Sequence, residues 1–97
     1  MNTMMKELAQ QVEQIFDEVV EIRRHIHQYP ELSFEEYQTS AFVKKKLEEF
    51  GIEAKVIAKT GVTAVIYPEN GQNNSSCVAL RADLDALPIH EQTGLSY

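Results

Sequence analysis

Three observations predict an α/β fold made of two N-terminal helices followed by three strands of a mixed sheet. Apolar residues recur every three or four positions from Leu8 to Ile26. A Ser/Glu pair and a glycine bracket a second helical stretch. From Ile52 onward the apolar period falls to two, the spacing of a strand.

The first helix runs over residues 3–28. Leu8, Val12, Ile15, Val19, Ile22 and Ile26 line up one apolar stripe, and Phe16 and Val20 widen it. Pro30 closes the element, because the residue before a proline is pushed out of helical geometry. The second helix runs over residues 34–50. Ser33 and Glu36 fit a capping box, in which each side chain takes an orphan backbone N–H, and Leu32 and Tyr37 sit where a hydrophobic staple would close around it. Val43, Leu47 and Phe50 continue the buried face, with Phe42 beside it. Gly51 falls where a left-handed C-terminal cap is wanted, with Ile52 folding back on Leu47.

Ile52, Ala54, Val56 and Ala58 alternate with Glu53, Lys55 and Lys59, as in a half-buried strand. Thr60-Gly61 permits a turn, and residues 62–67 form a second strand rich in β-branched side chains. Residues 68–76 have the composition of a loop. Residues 77–83 are apolar on both faces at the start, the pattern of an interior strand. Such a strand wants neighbours on both edges and cover on both faces. The remaining elements supply few of these, so the chain reads as part of a larger sheet domain. An edge left uncovered would invite pairing with another copy, so partial stability or self-association is expected. Residues 85–97 contain Pro88 and Gly94 and have no clear period.

A length of 97 residues fits one domain or a part of one. With 43% apolar and 25% charged residues, the composition is that of a soluble globular protein. Nine Lys/Arg against fifteen Asp/Glu give a net charge of −6, which argues against nucleic acid as a partner. The one basic run, Lys44-Lys45-Lys46, reads as a solvated helix face. Cys77 is the sole cysteine, so no internal disulfide can form, and its apolar context suggests a buried, inert thiol. The N-terminus has neither a signal peptide pattern nor a membrane span, which makes the cytoplasm the default location and a membrane an unexpected partner. Asn73-Asn74-Ser75 and Asn74-Ser75-Ser76 match glycosylation acceptors, as chance matches in a polar loop.

The stretch with most chemical content is Arg81-Ala82-Asp83-Leu84-Asp85-Ala86-Leu87-Pro88. On an extended strand Asp83 and Asp85 point the same way. They emerge at the carboxyl end of the expected interior strand, where open α/β sheets place their sites. Two carboxylates there could bind a divalent cation or orient a metal-bound histidine. The plainer reading is that Arg81 and Asp83 neutralise each other at the sheet edge. His25 and His27 stand roughly 200° apart around a helix and cannot chelate one ion together. His90 has no partner nearby in sequence. No glycine-rich phosphate loop and no Gly-x-Ser-x-Gly elbow is present.

Four segments in register carry a resemblance. Arg23-Arg24-His25-Ile26-His27 through Pro30-Glu31-Leu32-Ser33-Phe34-Glu35-Glu36 is similar to "R-R-x-I-H-x-x-P-E-L-x-F-E-E". Thr39 and the Leu47-to-Ile52 segment fit the helix that follows it. Thr60-Gly61-Val62-Thr63-Ala64 is similar to "T-G-V-x-A". Arg81 to Ile89, then Glu91, Thr93-Gly94 and Tyr97, is similar to "R-A-D-M-D-A-L-P-I-x-E-x-T-G-x-x-Y". Over about residues 22–97 the chain resembles the opening of the hippurate hydrolase and N-acyl-L-amino-acid amidohydrolase family, which belongs to the bimetal aminoacylase- and carboxypeptidase-like metallopeptidases.

The resemblance implies that residues 1–97 are an incomplete, N-terminal portion of a larger phosphorylase/hydrolase-like catalytic domain. It implies cleavage of the amide bond of N-acyl amino acids by two divalent ions (zinc, manganese, cobalt or nickel) and a glutamate general base. The family's metal-holding segment "H-A-C-G-H-D" is not among these residues, so no metal is expected to bind this chain alone, and it is expected to be inactive. In related branches a histidine at the position of Arg81 binds metal with the residue at Asp83 supporting it; a guanidinium offers only donors and cannot do so. Asp83 and Asp85 are therefore the candidate supporting residues. Two further readings stand beside this one: a non-catalytic interaction or regulatory module that keeps the N-terminal fold, and a degraded reading frame.

Overall fold

A computed structural model describes residues 2–68, 76–90 and 92–95. The chain divides into two compact units, Met1–Tyr29 with Ile89–Tyr97 and Pro30–Pro88.

The first unit holds helix α1, Thr3–Gln28, with the bounds its apolar period predicts. Asn2 caps it: the side chain accepts from the Met5 amide at 2.9 Å, satisfying one of the helix's orphan donors. At the other end the Tyr29 amide still donates to the His25 carbonyl, and Pro30 then ends the run. No α1 side chain is buried; Val20, Ile22 and Ile26 are half-buried.

The second unit holds helix α2, Tyr37–Glu49, and strands β1, Ala54–Ile57, and β2, Gly61–Ala64. The strands pair antiparallel, from Ala54 opposite Ala64 to Ile57 opposite Gly61, and α2 packs against both. Among the described residues Ala54 is the buried apolar one, and Glu36, Thr39, Ser40 and Thr60 are buried as well.

The C-terminus of α2 follows its sequence signal. Gly51 takes φ 79°, its amide donates to the Glu48 carbonyl at 3.0 Å, and the Ile52 amide donates to Leu47 at 2.9 Å. This is a complete Schellman motif. Lys46 lies 3.4 Å from Glu49 and over the Phe42 ring, so the basic run is partly neutralised on its own helix.

The N-terminus of α2 does not follow the capping-box pattern. Residues 32–35 make a turn closed by the Glu35 amide on the Leu32 carbonyl at 2.9 Å, with Phe34 at φ 65°. The helix begins only at Tyr37, and Glu36 occupies the cap position without a side-chain cap bond. Leu32 and Tyr37 stay exposed, so no staple closes. The physical reason is competition: Glu31 supplies the cap instead, and Glu36 turns toward Thr60.

The hairpin turn also moves from its expected place. It lies at residues 58–60, with Ala58 and Lys59 both at positive φ. Gly61 opens β2, and a Cβ there would lie 2.9 Å from the Ile57 carbonyl oxygen. The glycine is needed for close approach and not for an unusual φ. Residues 65–67 continue past β2 exposed and unpaired in the sheet.

The expected third strand is not formed. Residues 76–90 carry no regular structure, and Val78 and Leu80 are 88% and 97% exposed. Among the described residues the sheet is two-stranded and antiparallel, not mixed. An interior strand needs a partner on each edge, and a two-stranded hairpin could supply only one of them. Cys77 is accordingly exposed and not buried. Most of the expected loop at 68–76, and the glycosylation-like triplets within it, lie outside the described residues, as do Glu91 and Tyr97.

Candidate functional site

Glu31 is the residue around which the second unit is tied. Its carboxylate accepts from the Gln38 amide at 3.1 Å, the Thr39 amide at 2.5 Å and the Thr39 hydroxyl at 2.6 Å. Gln38 and Thr39 are the second and third residues of α2, whose N–H groups have no partner within the helix. The positive end of the helix dipole favours the negative charge there as well. Burial of the carboxyl raises its pKa, but the Thr39 hydroxyl and the two amides outweigh burial and hold Glu31 below its ordinary 4.5. The backbone carbonyl of the same residue accepts from the Ala86 amide at 2.8 Å. Glu31 thus fastens both the start of α2 and the segment that carries the two aspartates.

A second tie crosses the unit. The Thr60 hydroxyl donates to Glu36 Oε1 at 3.4 Å, and both residues are buried. It joins the residue before α2 to the hairpin turn.

These ties shape a cleft of about 430 Å³. Ser33, Phe34 and Glu36 wall it from one side, Thr60, Gly61 and Val62 from another, and Asp83 and Asp85 from a third. The two aspartates picked out by spacing therefore share one cleft with each other and with Glu36. Arg81 meets Asp83 at 3.1 Å, and both side chains are largely exposed, so the plain neutralising pair is present as well. An ion pair this exposed contributes little to stability.

Among the described residues no group of three or more His, Cys, Asp or Glu side chains is placed to hold a metal ion. A divalent hydrolytic site needs three or more protein ligands and an open position. The described residues do not fit such a centre, and no step through a metal is derived from them. His25 and His27 lie on α1 in the first unit, the former with its ring centroid 5.0 Å from that of Tyr29. His90 is exposed. Sequence patterns missed the roles of Glu31 and Thr39. The available signal was a carboxylate a few residues ahead of a helix whose third residue is a threonine.

Among the described residues no helix is long and apolar enough to cross a membrane. The fold and the cleft define an α/β segment that presents carboxylates without a complete catalytic set. No family model matches the chain, and no solved structure does. Curated relatives do match. The chain is 56% identical over 81 residues to the N-acetyl-L-cysteine deacetylase of Bacillus subtilis (strain 168), covering 82% of this chain and 19% of the relative. It is 42% identical over 97 residues to thermostable carboxypeptidase 1 of Saccharolobus solfataricus, covering 97% of this chain and 24% of the relative. It is 40% identical over 93 residues to the N-acyl-L-amino acid amidohydrolase of Geobacillus stearothermophilus, covering 95% and 24%. The chain is thus homologous to an N-terminal segment of proteins named as N-acyl-amino-acid deacetylases, amidohydrolases and carboxypeptidases. It spans between 19% and 24% of the length of these three relatives.

Proposed function

We propose that this chain is the N-terminal part of the catalytic domain of a metal-dependent amidohydrolase that cleaves the amide bond of N-acyl amino acids, and that it is inactive by itself. One observation carries the reading. Three family-like segments far apart in sequence, around Glu36, Thr60 and Asp83, wall a single cleft. In the whole domain residues 77–83 pair into an interior strand covered on both faces, and Asp83 and Asp85 support the metal-binding side chains from the strand's end. Two divalent ions would polarise the scissile carbonyl and lower the pKa of the attacking water. This chain's own part is to hold the cleft wall, through Glu31 and Glu36, and to orient the two aspartates. The small-molecule substrate and a cytoplasmic location belong to the same proposal.

The test is a chimera in which this chain replaces the matching segment of the Geobacillus stearothermophilus amidohydrolase. Turnover of N-acetyl and N-benzoyl amino acids is expected with manganese, zinc, cobalt or nickel. An Asp83→Asn, Asp85→Asn double variant of the chimera should lose at least about tenfold in rate, the usual scale for groups that support metal ligands. The 97-residue chain assayed alone should show none. A folded but inactive chimera would sink the catalytic reading. The alternative, a non-catalytic interaction module, draws on the exposed apolar face of α1, and it gains if the chimera folds without activity.

A further inference from the structure

Two walls of the cleft meet at a residue that lies outside it. Ser33, Phe34 and Glu36 follow Glu31 in the chain, and Asp83 and Asp85 precede Ala86. Glu31 joins the two runs, because its carbonyl accepts from the Ala86 amide at 2.8 Å. Neither Glu31 nor Thr39 lines the cleft.

Whatever holds Glu31 therefore sets the distance between these walls. Its Oε1 accepts from both the amide and the hydroxyl of Thr39, and its Oε2 from the Gln38 amide. Thr39 is 5% exposed and belongs to α2, which packs against both strands. The hydroxyl thus ties a half-buried carboxylate to a buried position on a packed helix. The turn that follows Glu31 depends on such ties. Phe34, in the cleft wall, has φ 65°, a conformation that a bulky side chain rarely takes. Strained positions of this kind persist where the surroundings over-determine them. Here the Glu35–Leu32 bond closes the turn, the Glu31 bonds hold one side of it and the Glu36–Thr60 bond holds the other.

We propose that Thr39 and Glu31 are a positioning pair for the amidohydrolase reaction. They fix the separation of the two walls, and with it the place of Asp83 and Asp85, without touching what binds in the cleft. A shift of about 1 Å imposed from outside a reacting centre can cost on the order of a hundredfold in rate. The effect on rate rests on the catalytic reading above; the hold on the aspartate segment does not.

Two measurements test it. The first is native-state amide exchange on the 97-residue chain. Thr39→Val keeps the β-branched shape and removes the hydroxyl. It should lower the protection of the Ala86 amide about tenfold while the hairpin amides change less than about threefold, a local opening and not a global one. Thr39→Ser, which keeps the hydroxyl, should restore Ala86. No loss at Ala86, or an equal loss in the hairpin, would overturn the proposal.

The second is kinetics in the chimera with the Geobacillus stearothermophilus amidohydrolase. Thr39→Val should lower kcat about tenfold and leave KM within about twofold, because the pair meets no substrate. Thr39→Ser should return kcat to within about twofold of the parent. Gly51→Val strains the far end of the same helix and should leave kcat within about twofold, which separates positioning from stability alone. The proposal is overturned by an unchanged kcat in Thr39→Val, by an effect confined to KM, by an equal loss in Gly51→Val, or by serine failing to restore the rate. A parent chimera without turnover is the failure of the catalytic reading; the positioning claim then stands or falls on exchange at Ala86.

Discussion

The two helices are started by opposite means. α1, 26 residues long, is capped by its immediate neighbour Asn2 with one bond, and buries no side chain. α2, with 13 residues, is capped by Glu31, a residue beyond the preceding turn, and buries Thr39 and Ser40. Length and amphipathic period therefore decide that a helix forms, but not that it is integrated. Integration comes from a neighbouring element and from a cap reached across a turn. The same polar network that caps α2 holds the aspartate segment in place, whereas the cap of α1 serves α1 only.

The sharpest way to break this contrast is Glu31→Gln. The carboxylate uses both oxygens, one on Gln38 and the other on Thr39, and a glutamine offers a single acceptor and loses the charge. A loss of about 1.5–3 kcal/mol is expected, the range for hydrogen bonds to a charged group. It should depend on pH. Since the folded pKa of Glu31 lies below 4.5, its stabilisation is present above the unfolded pKa and is lost as pH falls through the folded value. Urea melts of both proteins should differ at neutral pH and converge in acid; a difference constant with pH would contradict the charge assignment. Next in size is Gly51→Val. A Cβ at Gly51 meets nothing within 4 Å, so the cost is the left-handed backbone alone, about 1–2 kcal/mol. A melt unchanged by this variant would mean that the Schellman turn is not needed. The smallest effect is expected for Ser33→Ala. As a true N-cap Ser33 would cost roughly 1 kcal/mol on removal; with Glu31 in that role the same melts should register less than about 0.5 kcal/mol.

How far the sequence reached can be read from these same residues. The bounds of α1 and the C-terminal turn at Gly51 were legible because both rest on local signals, an unbroken apolar period and a residue free to take positive φ. The start of α2 was not, although Ser33 and Glu36 match the capping-box spacing. That pattern is silent about a competing carboxylate at Glu31 and about Phe34 adopting φ 65°. The hairpin was foreseen, but its turn was displaced because Gly61 serves a close approach to Ile57, which period and composition do not report. The third strand failed for a non-local reason, since apolarity on both faces states what residues 77–83 require, not what is available. At the cleft, spacing singled out Asp83 and Asp85 as candidates and foresaw the Arg81–Asp83 pair. It could not bring them beside Glu36 and Thr60, because that juxtaposition depends on the Glu31–Ala86 bond.

The bonds of Glu31 close loops of very different span, which predicts an order of events in folding. Its carboxylate reaches residues seven and eight positions ahead, so that contact closes a short loop at small entropic cost. Its carbonyl reaches Ala86 across the whole of α2 and the hairpin, a closure whose cost grows with the logarithm of the span. On that ground the first contact is expected to form early and the second late. Weakening the first acts on the folding rate and weakening the second on the unfolding rate, a division that the kinetics of Glu31→Gln and Ala86→Pro read separately.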